Sequence, residues 1–156
     1  MELLGKNKNM EGAAADEPLY RALACGDLPA AYILSKDLKQ KSNPATAFNC
    51  GLCLFRLGEW EKALAELKRA EQAFGNPSEY EISERKFLLK AFEVSGSAEA
   101  FLPLDPGAPS RCGRYALIRT RWLIALCLFQ LGRESEAAPI VRFLSQYNIQ
   151  IDSNIN

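Results

Sequence analysis

Leu52-Cys53-Leu54-Phe55-Arg56-Leu57-Gly58 returns almost letter for letter as Leu126-Cys127-Leu128-Phe129-Gln130-Leu131-Gly132, 74 residues further along the chain. In both copies a run of large apolar residues ends on a glycine, as a helix ends on a residue free to take a left-handed backbone. Internal repetition over tens of residues is the mark of a stacked array, and 74 is close to two periods of a helical-hairpin repeat. Arrays of this kind usually present a long surface to another macromolecule.

Two other markers give nearly the same period. Gly26 and Gly58 are 32 apart, and Asn43-Pro44 and Asn76-Pro77 are 33 apart. Pro44 opens a helix that runs to Leu57. Its partner covers 59–74, with Trp60, Ala63, Leu64, Leu67, Ala70 and Phe74 at spacings of three or four. Leu19–Ala24 reads as a short helix stopped by Gly26, and a second helix covers about 28–41. A long helix over about 78–94, one from Arg111 to Leu131 and one from Glu134 to Tyr147 are also expected. The glycines at 26, 58, 96 and 132 fall between helices, and no strand-like alternation occurs. Pro103, Pro106 and Pro109 cannot continue a helix, so 96–110 reads as a Pro-rich insert with one or two helical turns at 98–102.

The expected layout is a disordered lead-in at 1–16, a helical domain at 17–148 and a polar tail at 149–156. Its class is all-α, about seven helices in antiparallel hairpins.

Composition narrows the chemistry. Nineteen basic residues balance nineteen acidic ones among 156, so no global field draws the chain to nucleic acid or anionic lipid. Histidine is absent, which removes the commonest general base and metal ligand. No apolar run is long enough to span a bilayer, and the first residues lack a signal-peptide core. Five cysteines in no secreted-framework spacing point to thiols in a reducing cytosol. Cys50-Gly51-Leu52-Cys53 is a CxxC, but it lies mid-helix, away from the N-terminus that would acidify a thiol, and no second ligand pair exists for zinc. It reads as buried packing, a reading strengthened by Cys127 in the register of Cys53. No catalytic residue, metal ligand or cofactor site is expected, and no enzyme.

Gly51, Gly58, Trp60, Ala63, Leu67, Ala70 and Pro77 together resemble the signature of the tetratricopeptide repeat, a 34-residue helix–turn–helix. The resemblance is strongest over 44–77 and clear over 115–132. The 112–147 hairpin keeps Ala125, Gly132 and Ala137 but has Glu134 in the register of Trp60. The resemblance implies an α-α superhelix of three to four irregular hairpins, with first helices lining a concave groove.

If that geometry transfers, Phe48, Asn49, Leu52, Phe55 and Arg56 line one part of the groove, Lys86 and Lys90 the next. Arg119, Trp122, Leu126 and Phe129 line the last. Several of these aromatics read equally well as core. Arg111, Arg114, Arg119 and Arg121 fall within eleven residues without an acid, with Arg114 and Arg121 on one face. They read either as a docking site for an acidic segment or as a solvated face paired with neighbouring acids. Some family members grip chaperone C-termini with a Lys/Asn/Arg clamp. Asn49 fits one position of it, but Asp16 and Tyr20 stand where a lysine and an asparagine would be wanted.

The leading functional expectation is an adaptor binding a peptide or helix of another protein, with neither nucleic acid nor membrane as partner. Small repeat chaperones of bacterial type III secretion resemble the chain in length and repeat number, and give a second reading. Self-association as a homodimer or scaffold through the open ends of the stack gives a third.

Overall fold

In the computed structural model, residues 7–38, 43–75, 77, 90 and 96–151 are described. They contain seven α-helices and a 3₁₀ helix, and no strand. The α-helices are α1 (Asn7–Ala24), α2 (Leu28–Asp37), α3 (Pro44–Arg56), α4 (Trp60–Phe74), α5 (Ala108–Arg111), α6 (Gly113–Gln130) and α7 (Glu134–Ser145). The 3₁₀ helix spans Gly96–Phe101 and precedes α5. No described helix is long and apolar enough to cross a membrane.

Three helical pairs, α1/α2, α3/α4 and α6/α7, close through one and the same turn. At Gly58 the glycine N–H donates to Phe55 C=O (3.0 Å) and Glu59 N–H to Leu54 C=O (2.9 Å). Gly26 with Asp27, and Gly132 with Arg133, repeat the pattern onto Leu23 and Ala22 and onto Phe129 and Leu128. The three glycines have φ of 77°, 77° and 69°, a region costly for any residue with a Cβ. Gly96 opens the 3₁₀ helix, and the residues just before it lie outside the described ones.

Helix starts follow side-chain chemistry. Asp27 caps α2 by accepting from Ala30 N–H (3.1 Å), and Asn43 caps α3 by accepting from Ala45 N–H (2.9 Å). Pro29 and Pro44 occupy first-turn positions where a missing N–H costs nothing. Glu134 and Glu136 sit in the first turn of α7, where carboxylates complement the helix dipole.

Hairpin α3/α4 packs through α4 against α6, and α1 and α2 both touch α3. The two copies of the repeated heptapeptide therefore lie on neighbouring hairpins. Most of the stretch that would hold an intervening repeat, 78–95, lies outside the described residues apart from Lys90. The helix expected over 78–94, including Lys86, falls outside the described residues apart from Lys90, which is helical and exposed.

α6 is the central element, with every residue from Ala116 to Leu128 buried except Arg121. It breaks from α5 at Cys112 (φ −148°), where a continuous helix from Arg111 had been expected. One apolar cluster joins Leu19 and Leu23 of α1, Phe48 and Leu52 of α3, Leu67 of α4, Ile118 and Leu123 of α6, and Leu144 of α7.

The ends differ from expectation as well. α1 begins at Asn7, inside the stretch assigned to a disordered lead-in, and includes Pro18. At the other end, Asn148 (φ 57°) reverses the chain, and Ile149, expected in a polar tail, is buried. Asparagine tolerates that backbone better than most residues.

Gly51 permits the close approach of α3 and α4. A Cβ there would lie 2.7 Å from Leu67 Cγ, itself fully buried, and 3.4 Å from Ala63 O. Glycine-to-alanine in a helix interior ordinarily gains about 0.5–1 kcal/mol. Here overpacking costs about 1–3 kcal/mol, so Gly51→Ala is expected to lower stability in a denaturant titration. A stabilised variant would show that the two helices can separate at no cost.

Candidate functional site

Three of the expected groove-facing side chains, Asn49 and Arg56 of α3 and Arg119 of α6, converge on one object, and it is the chain's own segment 99–106. Asn49, 1% exposed on α3, donates through Nδ2 to Leu104 C=O and accepts through Oδ1 from Leu104 N–H, both at 2.8 Å. Arg56, one helical face along at i+7, donates to Leu23 C=O (3.0 Å) and to Phe101 C=O. Arg119 of α6 donates to Leu102 C=O and to Tyr115 Oη (2.9 Å). Asn43, besides capping α3, donates to Pro106 C=O at 3.1 Å. Four side chains thus hold backbone groups of a segment that has no ladder or helix of its own from Leu102 to Asp105.

The apolar side of the segment is embedded too. Leu104 is 2% exposed, and the Phe101 ring lies 5.9 Å from the Phe55 ring. Leu102 points the other way and is 48% exposed. Asp105 Oδ1 accepts from Gly107 N–H and from Arg111, both at 2.7 Å, which fixes the turn into α5.

Arg119 is the deepest charge in the molecule's described part, 1% exposed. Its guanidinium lies 5.6 Å from the centroids of both Phe48 and Tyr115, and 3.8 Å from the Glu99 carboxylate. Tyr115 Oη donates to Glu99 Oε1. Burial above all pushes the Tyr115 phenol up to about 12, against the pull of the nearby Arg119 charge.

Phe48, Leu52, Trp122 and Leu126 are core residues rather than groove lining, at 5% exposure or less. The basic face is not open either. Arg114 donates to Tyr147 Oη (3.1 and 3.2 Å). Arg121 pairs with Glu71 (3.3 Å) and lies 4.3 Å from the Phe143 ring centroid. Arg111 holds Asp105. Acids and aromatics from distant elements supply the partners that the local sequence lacks. Charge reversal at Arg114 and Arg121 would break contacts that join α6 to α4 and to α7 with the residues just after it.

On the opposite side of α6, a cleft of about 420 Å³ opens between α4 and α7, with Lys68, Glu71, Arg121 and Glu136 around an apolar floor of Ile124 and Phe143. Sequence reasoning did not anticipate it, because it arises where two helices from separate hairpins splay.

None of the five cysteines forms a disulfide, and Cys50, Cys53 and Cys127 are buried. Burial pushes Cys53 up and Cys127 up to about 12 from an ordinary 9.0. Among the described residues no three metal-binding side chains cluster. A raised thiol pKa stabilises the fold fully below the unfolded value and loses that contribution as pH climbs toward the folded one. Melting temperature should therefore fall from about pH 9, with Tyr115 adding to the loss above 10. Cys127→Ala should show a shallower alkaline slope; an unchanged slope would remove this thiol from the account.

No protein-family model matches the chain, and no curated protein and no solved structure matches it.

Proposed function

We propose that the chain is a protein-interaction module, a tetratricopeptide-like stack of hairpins that holds a segment of another protein on the face shared by α3 and α6. The observation that carries this reading is the treatment of Leu104. One buried asparagine takes both backbone groups of that residue, as side chains do in sites that bind open peptide chain. Arg56 and Arg119 repeat the device at Phe101 and Leu102, so backbone contacts supply hold and the seat of Leu104 supplies selectivity. The resemblance over 44–77 adds the family habit of meeting partners with first helices, and α3 and α6 are the first helices of adjacent hairpins.

Adaptor and partner-masking chaperone share this surface and differ in what occupies it, whereas a scaffold would self-associate through the open ends of the stack. The test compares two surface variants in partner capture. Arg111→Glu, which spares the 99–106 segment itself, alters the proposed face, and Lys68→Glu alters the opposite cleft. A partner lost by the first and kept by the second supports the reading. Equal retention by both, or loss with Lys68→Glu alone, assigns binding elsewhere.

A further inference from the structure

Phe101-Leu102-Pro103-Leu104-Asp105 sits on α3 and α6 as a ligand sits in a site, and its contacts define what the site accepts. Arg56, Arg119 and Asn49 address backbone atoms at 101, 102 and 104, so nothing in those bonds requires the segment to be covalently attached. Side chains add the selection. An aromatic meets Phe55, a leucine is swallowed whole, and an acid meets Arg111. Two residues upstream, Glu99 supplies the countercharge that Arg119 needs once it is out of water. Proline at 103 has no N–H to leave unsatisfied between the two anchored carbonyls and Leu104.

We propose that this segment is a resident peptide ligand and that the same face takes, in trans, a peptide of the pattern acid-x-aromatic-apolar-Pro-Leu-acid that enters as a 3₁₀ turn and continues without helix from the apolar position. The inference rests on the interaction-module reading and names the partner's chemistry. The intact chain is self-masked. A tethered segment competes at an effective concentration of about millimolar, so a trans peptide of micromolar intrinsic affinity is weakened about 1000-fold. A partner therefore gains the face only when it binds more strongly than the resident copy, or when the resident copy is withdrawn.

The experiment uses the full chain with residues 99–106 replaced by a glycine-serine stretch of equal length. The probe is a fluorescent peptide of this chain's own residues 98–109. Anisotropy is expected to show binding to the replaced chain about 100-fold or more tighter than to the wild type, and Asn49→Ala in the replaced chain should abolish it. Should the replaced chain not fold alone, helicity and melting are followed with and without peptide. Recovery by the peptide supports the inference, and no recovery overturns it. Equal binding to both chains, or binding to neither, also overturns it. A partner captured through this face despite failed peptide exchange would remove the resident ligand and leave the module; partner capture indifferent to this face would remove the module itself.

Discussion

Replacing Arg119 by alanine is expected to destabilise the chain by about 3–5 kcal/mol, the range for removing one member of a buried charge pair. The guanidinium is almost wholly out of water and has three obligations: Glu99 at 3.8 Å, Tyr115 Oη at 2.9 Å and the carbonyl of Leu102. Alanine leaves a carboxylate and a carbonyl without that partner, and the volume of the lost stem lies against Phe48 and Tyr115. For a chain of this size the loss corresponds to roughly 6–20 °C in melting temperature. Arg119→Met restores the stem, and adding Glu99→Gln removes the stranded charge, so the double variant should recover much of the deficit. A single alanine variant melting within about 2 °C of wild type would mean that water already reaches this charge.

Asn49→Ala is expected to cost about 2–6 kcal/mol. Both the N–H and the C=O of Leu104 then lack their partner beneath a buried side chain, at about 1–3 kcal/mol each. Asn49→Asp keeps the acceptor for Leu104 N–H but sets a carboxylate against the carbonyl, so the near-isosteric change should be no milder. Amide exchange locates the damage. Leu104 N–H should lose protection in the alanine variant while amides in the middle of α6 keep theirs. Retained protection at Leu104 would show that the segment is held by its apolar side chains alone.

The hairpin turns were legible because each is decided locally: a helical apolar run, then one residue at positive φ. Gly96 reads identically in the sequence, and only the chain around it reveals a 3₁₀ start. The heptapeptide repeat correctly marked related hairpins, but a period cannot say whether two copies are neighbours or next-but-one. That depends on what residues 75–112 do, and α4 meets α6 directly. The candidate face was half legible. Asn49, Arg56 and Arg119 do converge, yet their occupant was read as an insert because three prolines hid its role. A signal was present. Asn49 lies among Phe48, Leu52 and Cys53, and Arg119 within a helix apolar on nearly every side. Polar groups on such faces demand partners, and the stretch with the most backbone to satisfy was the one rich in proline. Pairing of Arg114 and Arg121 was one of the two readings the sequence left open, but the partners themselves, Tyr147 and Glu71, are distant in sequence and were not legible.

The long connection also sets an order of assembly. α3 finds α4 across a turn of a few residues, whereas α6 must find α4 across residues 75–112, at an additional closure cost of about 2 kcal/mol. On a ribosome, the first two hairpins emerge and can collapse before α6 has been synthesised. The last hairpin then arrives as a docking body, and it brings the companion helix that the 99–106 segment needs in order to settle.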